Sequence, residues 1–444
     1  MSAATEQRTA RKIVESLLDP GSFIHLGATG GGVIAGAGTI DDRQVCLFCV
    51  DSAGEVPAEK IVQVFDLALK TGCPLIGIHA GGGTSGSAAT GVLGRSGKIL
   101  QRSAHASGVI PQFSLVLGET REELVFAPAL TDFVIMAEPT SQLVVSGPEA
   151  VRAVTGEDVS SAELGGGLVH ATLGTAHYLG ADEADAIGYL KHLLSYLPQN
   201  NLEDPPGYEV DVDDALELTE TDQALDRLIP DAPNQPYDMH EVIATVLDDG
   251  EFCEVQARHA PNIVVGYGRV AGRSVGVVAN QPLRVAGCLD IVAAEKAARF
   301  IRTCDAFNAP VLTFVDAPGF VPGTDQEWNG ISRHVAKLSY AYAEATVPLI
   351  TVVTRRATGG AYEVMGSREL GADINLAWPT ARFEAMRSDQ PGTAMVSAES
   401  AVEQGHLDAV IEPHQTRSRL TQTLRVLRTK RATLPPKKHG NIPL

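Results

Sequence analysis

One βαβ pattern occurs twice in this chain, and that repetition restricts the fold more than any other property of the sequence. Arg43–Val45 opens an apolar, strand-like run, and Arg273–Val275 opens another 230 residues on. Each is followed by a helix-like stretch, Ala58–Thr71 and Ile291–Phe307, and then by a proline-led buried strand, Pro74–Ile78 and Pro310–Val315, now 236 residues apart. A second helix and a second proline-led strand follow, Pro111–Leu117 and Pro348–Val353, at an offset of 237. Asp132–Pro139 then answers Asp373–Pro379, with the prolines 240 apart. Offsets that drift only from 230 to 240 between residues 43 and 139 predict two copies of one unit with loop insertions. Short apolar strands alternating with helices make each copy an α/β domain, its helices packed on largely parallel strands.

At 444 residues the chain is long enough for two or three domains with real cores. The net charge of -19 argues against nucleic acid as a partner, but its placement matters more than its total. Ten acids and no Lys or Arg lie between Glu203 and Asp226, more than half of that excess. A like-charge block containing Pro205, Pro206 and Gly207 reads as a solvated connection between the copies. The expected organisation is therefore a first domain over 1–202, an acidic connection over 203–235 and a second domain over 236–444. Met1–Phe23 lacks the apolar core of a signal peptide, and no run of 18 apolar residues occurs, so a cytoplasmic protein without a membrane partner is expected. Six dispersed cysteines are no disulfide framework, and Cys46 and Cys49 sit in a strand-like apolar run with no second pair to complete a zinc site.

Several motifs fail on their context. Gly81–Gly86 spells GxGxxG after a strand, but no acidic residue ends a following strand at the distance a dinucleotide site needs. Gly91–Lys98 has one residue too many for a P-loop. Gly272–Gly276 spells GxSxG, yet Ser274 leads into a strand, whereas a nucleophile elbow needs the turn from strand to helix. No HExxH occurs and the twelve histidines show no ligand spacing, so no metal is expected. Gly359, Gly360 and Ala361 differ in position: they follow the strand Leu349–Val353 and precede the helix-like Tyr362–Ser367. Small residues at a helix entry leave backbone N–H groups approachable, which suits an oxyanion, although glycines there also simply permit a tight turn.

Together with His105–Gln112, Ala127–Phe133 and Leu434–Leu444, the run Gly359–Tyr362 resembles the carboxyltransferase (β) subunits of biotin-dependent acyl-CoA carboxylases, of the propionyl-CoA carboxylase type. The matching stretches include His105–Gln112, Ala127–Phe133, Leu193–Asn201, Val277–Pro282, Glu295–Phe300, Gly359–Tyr362 and Leu434–Leu444, so the resemblance spans nearly the whole chain. It implies two tandem crotonase-like α/β domains, an acyl-CoA side in the first and a biotin side in the second, usually within a hexamer. In the family, carboxybiotin releases CO2, the biotin anion takes a proton from the acyl-CoA α-carbon, and the thioester enolate captures CO2. Two anions require two oxyanion holes. The resemblance assigns the hole on the biotin side to backbone N–H groups at Gly360 and Ala361, and the thioester hole to the matching first-domain turn. It also suggests substrate-binding places at Gly81, Gly82, His105, Ala106, Ser107 and Gly108, with Tyr362 and Glu363 on the other side. Biotin would arrive as carboxybiotin on a separate carrier protein, because no biotinylation motif is present. Biotin carboxylase and the carrier would be partner chains around a homo- or hetero-oligomeric core.

The repeat exposes a departure. Eleven residues beyond Pro348 stands Gly359, whereas eleven beyond Pro111 stands Glu122, so Glu122, Glu123 and Leu124 occupy the place of Gly-Gly-Ala. Backbone N–H groups survive such substitutions, but a carboxylate about 5 Å from an enolate costs roughly 3 kcal/mol at an effective dielectric of about 20. That is on the order of 10²-fold in rate. Arg121 would serve as a counter-ion, and either glutamate could act as a base or simply begin a helix. Three functions follow: a carboxyltransferase with an altered acceptor side, a malonyl- or methylmalonyl-thioester decarboxylase, or a silent subunit of a carboxylase complex. Towards the C-terminus, Leu420, Leu424 and Leu427 fall at helical spacing within the basic stretch 417–438, as in an exposed amphipathic helix.

Overall fold

In a computed structural model, which describes residues 10–27, 32–51, 58–81, 95–211, 216–230, 232, 235–384 and 395–443, the chain divides into two units, Met1–Glu203 and Asp204–Leu444. The side chains of Arg95, Glu122 and Glu123 are outside the description. The first unit holds a seven-stranded sheet in the order Ile24–His25, Val33–Ile40, Arg43–Asp51, Leu75–Gly81, Gln112–Val116, Phe133–Ala137, Tyr178–Gly180. Within the second, Cys253–Val255, Ile263–Val270, Arg273–Asn280, Val311–Ala317, Leu349–Thr358, Ile374–Ala377 and Ala409–Val410 follow the same order. The registers repeat as well: Cys46 stands opposite Leu75 as Gly276 stands opposite Val311, and Leu75 opposite Gln112 as Val311 opposite Leu349.

The central strands are parallel, with both faces buried under helices, which is why they read as apolar runs without alternation. The leading strands depart from the parallel expectation. Val33–Ile40 and Arg43–Asp51 form an antiparallel hairpin, as do Ile263–Val270 and Arg273–Asn280. Both turn residues of each hairpin have positive φ, Asp41 and Asp42 in one and Ala271 and Gly272 in the other. Such a turn matches the right-handed strand twist. Gly272 is obligatory on a second count, since a Cβ there would lie 2.0 Å from the Tyr208 carbonyl oxygen. Among the helices, Ile291–Ala306 starts on Asp290, whose carboxylate accepts the Ala293 N–H at 2.8 Å, and buries Ala293, Ala297, Phe300, Ile301 and Cys304 along one face. Each fully buried Phe or Ile contributes on the order of 1.5–3 kcal/mol.

Among the described residues most acids of the segment 203–226 are exposed, but part of the segment packs on the second unit. Asp222 is the buried one among the described acids there, 2% exposed, and it bonds the Arg417 guanidinium at 3.0 and 2.9 Å. Leu225 joins the core of that unit, and Asp226 accepts from the backbone N–H of His414 at 3.1 Å. Two acids of the like-charge run thus meet partners almost 200 residues away in sequence. The basic C-terminal stretch supplies Arg417, and its helix Thr416–Val426 buries Leu420 and Leu424 in the same core rather than standing exposed.

Candidate active site

The second-unit turn is built from a strand that is longer than its neighbour requires. Val315 pairs with Val353 and Ala317 with Ala357, so three residues, Thr354–Arg356, bulge opposite the single Asp316. The Asp316 carboxylate fills that bulge. It accepts the Arg356 N–H and Arg356 Nε, both at 3.2 Å, and Arg355 Nε at 2.9 Å. Asp316 is fully buried, and the Arg355 guanidinium also lies over the Tyr237 ring at 4.9 Å. A buried carboxylate between two arginines fixes the strand end just before the glycines.

Gly359 then turns the chain at φ +47°, a conformation that a side chain disfavours, and the short helix Gly359–Glu363 begins. The first N–H groups of any helix lack an intrahelical acceptor, so those of Gly359, Gly360 and Ala361 point out of its start. Gly360 has open space around it: a Cβ there would meet only Phe320, at 3.6 Å. Neither backbone shape nor packing therefore demands glycine at 360, and the approach to its N–H is open. Beside the turn lies a cavity of about 560 Å³ whose lining includes Gly359, Tyr362, Glu363, Phe383 and the His406–Glu369 pair. Tyr362 is 8% exposed, packs edge-on against Phe383, and its hydroxyl finds no partner among the described residues. Burial, with Glu369, Asp408 and Glu363 adding to it, pushes the phenol up, so it stays a neutral donor. Glu363 is exposed on the cavity wall.

The matching first-unit turn keeps the frame and loses the buttress. Glu119–Arg121 pairs in parallel with Gln142–Val144, as Arg356–Thr358 pairs with Arg382–Glu384. Glu122 thus falls on Gly359 and Glu123 on Gly360, in register as well as in count. Here the strand breaks after Val116 instead of bulging: the Leu117 and Gly118 N–H groups both donate to the His79 carbonyl, at 2.8 and 3.1 Å. Gly118 packs so close that a Cβ would lie 2.2 Å from the Ala80 carbonyl oxygen. Ala80, Gly118 and Glu119 thereby stand where the second unit has Asp316, Arg355 and Arg356. A 3-10 turn, Glu122–Val125, begins at the position of the second-unit helix and leads into Phe126–Ala129. Arg121, the expected counter-ion of Glu122, meets Glu119 at 2.6 Å, and the Glu122 side chain is outside the description.

The other sequence-derived residues divide. Gly81 ends the strand Leu75–Gly81, and Gly82 lies outside the described residues. His105 and Ser107 are exposed at the end of the helix Arg95–Ala106, and Gly108 makes the turn beyond it at φ +70°. Ala106 is fully buried in the first-unit core, so its side chain meets other core residues rather than a ligand. Ser274, the GxSxG serine, is also fully buried and donates to the Pro206 carbonyl at 2.7 Å, a structural role. Among the described residues no group of three His, Cys, Asp or Glu could hold a metal, and no helix is long and apolar enough to cross a membrane. Sequence reasoning missed Asp316, although an acid closing an apolar strand just ahead of a Pro-Gly turn is itself a signal for a buried, charge-paired carboxylate.

Each unit thus carries a crotonase-type sheet that ends in a strand-to-helix turn, at Glu122 in the first and at Gly359 in the second. The chain belongs to the carboxyl transferase domain family, which matches residues 4–404. It is 50% identical to the propionyl-CoA carboxylase beta chain of Saccharopolyspora erythraea, over 99% of this chain and 91% of that one. It is 44% identical to the methylmalonyl-CoA decarboxylase subunit alpha of Veillonella parvula, over 99% and 94%. The crystal structure of the transcarboxylase 12S hexamer with hydrolysed methylmalonyl-coenzyme A bound superposes with a TM-score of 0.93, at 39% identity over 98% of this chain and 92% of that one. The protein is a carboxyltransferase enzyme.

Proposed function

We propose that this carboxyltransferase moves a carboxyl group between biotin, carried on a separate chain, and an acyl-CoA, with the second-unit turn serving the biotin side. The observation behind this reading is the intact, Asp316-buttressed turn at Gly359–Ala361, whose open approach at Gly360 fits a planar ureido oxygen. Carboxybiotin would supply CO2. The chain's own part is to aim the Gly360 and Ala361 N–H groups at the developing anion and to hold them there at no reorganisation cost. Tyr362 and Glu363 would line the neighbouring cavity, and His105, Ser107 and the Gly81 strand end would belong to the acyl-CoA side. A hexameric core with biotin carboxylase and carrier as partners, working in the cytoplasm, accords with a hexameric relative and with six unpaired thiols. Substituting Gly360→Ala should lower kcat for transfer from a carboxylated carrier to propionyl-CoA by about 10²-fold while KM for the thioester holds. Loss of thioester affinity instead of kcat would place the turn on the other substrate.

Thioester decarboxylation is the second reading, favoured by the methylmalonyl-CoA decarboxylase relatives. Both readings use the first-unit turn if it still receives a thioester oxygen, with Glu122 and Glu123 as the disturbing charges or as a base. The double substitution Glu122→Gly and Glu123→Gly should then raise turnover of acyl-CoA or malonyl-type thioesters by up to about 10²-fold. An unchanged rate excludes the turn from the reaction, and a collapsed rate with stability intact identifies a glutamate as the base.

A further inference from the structure

At the other end of the second-unit sheet, where the strand Arg273–Asn280 begins, the duplication has left a difference that the carboxyl-transfer reading does not use. In the first unit Arg43 locks the C-terminal end of the helix Glu183–Leu194: its guanidinium donates to the carbonyls of Leu194 and Leu197, the latter at 2.7 Å, and to Gln199 Oε1 at 3.3 Å. Arg273 makes the matching bond, to the Leu424 carbonyl at 2.8 Å, across the same 151 residues of chain. There the likeness stops. Past Leu424 the chain continues as helix instead of folding back over the arginine, and it delivers Arg425 and Arg428 in place of further acceptors. The result is a cavity of about 530 Å³, lined wholly by second-unit residues, into which Arg273, Arg425 and Arg428 converge. The Arg425 and Arg428 guanidiniums have no hydrogen-bond or ion-pair partner among the described residues, and the Leu424 carbonyl is the only acceptor for the Arg273 guanidinium there. Asp204 and Glu209 stand on the same lining, leaving a net positive charge. Tyr208 completes the wall, half exposed, its hydroxyl tied to Asp248 at 3.1 Å so that the ring is held in place.

We propose that this cavity binds a nucleotide-type ligand, with phosphate oxygens on the Arg273, Arg425 and Arg428 guanidiniums and the aromatic base against Tyr208. Guanidiniums match phosphate oxygens in pairs, the volume lies in the range of small-ligand sites, and a fixed exposed aromatic ring is the usual platform for a base. ADP is the probe, titrated calorimetrically into the full chain in the presence of saturating acyl-CoA, so that any affinity of its adenosine diphosphate portion for the thioester site is masked. Binding that persists under saturating acyl-CoA, and that weakens roughly tenfold or more in Arg425→Glu/Arg428→Glu, is the expected result. These two residues are solvent-exposed and distant in the fold from the glycine turn, so the melting temperature and carboxyl-transfer rate without ADP should be unchanged. Pyrophosphate should compete, adenosine should not bind, and Tyr208→Ala should reduce ADP affinity to that of pyrophosphate. The proposal is overturned if acyl-CoA abolishes ADP binding, if the double variant binds ADP as well as the parent chain, or if ADP binds no more tightly than pyrophosphate. Failure of carboxyl transfer would leave these binding outcomes readable, since none of them uses the activity.

Discussion

Gly359 and Gly360 look interchangeable in sequence, yet the structure gives them separate duties. Gly359 sits at φ +47°, so Gly359→Ala should destabilise the protein by about 1 kcal/mol and displace the turn, lowering both the melting temperature and kcat. Gly360 has room for a methyl group, so Gly360→Ala should leave the melting temperature within a degree or two while lowering kcat, because the methyl obstructs the approach to the N–H groups. Parallel melting and rate measurements on the two variants separate backbone shape from access. Asp316 acts one step behind them. Removing its charge in Asp316→Ala strands two arginines at a buried site, and a loss of about 3–5 kcal/mol in denaturant unfolding is expected. A loss below about 1 kcal/mol would mean that the bulge closes without it.

At the scale of elements, helix starts and strand ends hold the second unit together through short side-chain locks. The helix Met239–Val246 is an instance: Asp238 caps its first turn, Gln281 Nε2 donates to Asp238 at 2.7 Å, and His240 bridges Asp238 at 2.8 Å and Glu254 at 3.2 Å. The hydrogen bond to Glu254, opposed by burial and aided by Asp238, raises the His240 imidazolium from 6.5 to about 9. A folded-state pKa above the unfolded one gives stability that is fully present below pH 6.5 and is lost as pH rises through about 9. His240→Gln should therefore cost stability at pH 6 and little at pH 10, read as a urea-midpoint difference that shrinks between the two. A difference independent of pH would show that His240 acts through packing alone. Lys296 is a lock of another kind, its buried ammonium donating to the carbonyls of Gln256, His259 and Ile263 at 3.0, 2.8 and 2.8 Å, which pins the loop ahead of the strand Ile263–Val270.

Across the whole molecule, most of the architecture was legible because it occurs twice. The drifting offsets matched each strand of one half with its counterpart in the other before any register was known, and they paired Glu122 with Gly359, which the strand ladders repeat. What escaped was long-range. Asp222 meets Arg417 across 195 residues, a pairing that no local charge pattern marks. The Asp316 bulge was hidden for a related reason: neither a strand period nor a composition shift marks three residues standing opposite one. Residues 82–94 and 385–394 lie outside the described residues, so the acceptor side rests on Glu122, Glu123 and the frame around them. Two turns of one origin, one buttressed and open, the other occupied by glutamates, are the central claim, and catalysis is its direct measure. A biotin carrier protein charged with labelled bicarbonate should lose its label to an acyl-CoA when this chain is added, and the loss should slow by about 10²-fold in Gly360→Ala. Label that stays on the carrier with every acyl-CoA tried, or that leaves equally fast in Gly360→Ala, would contradict the account.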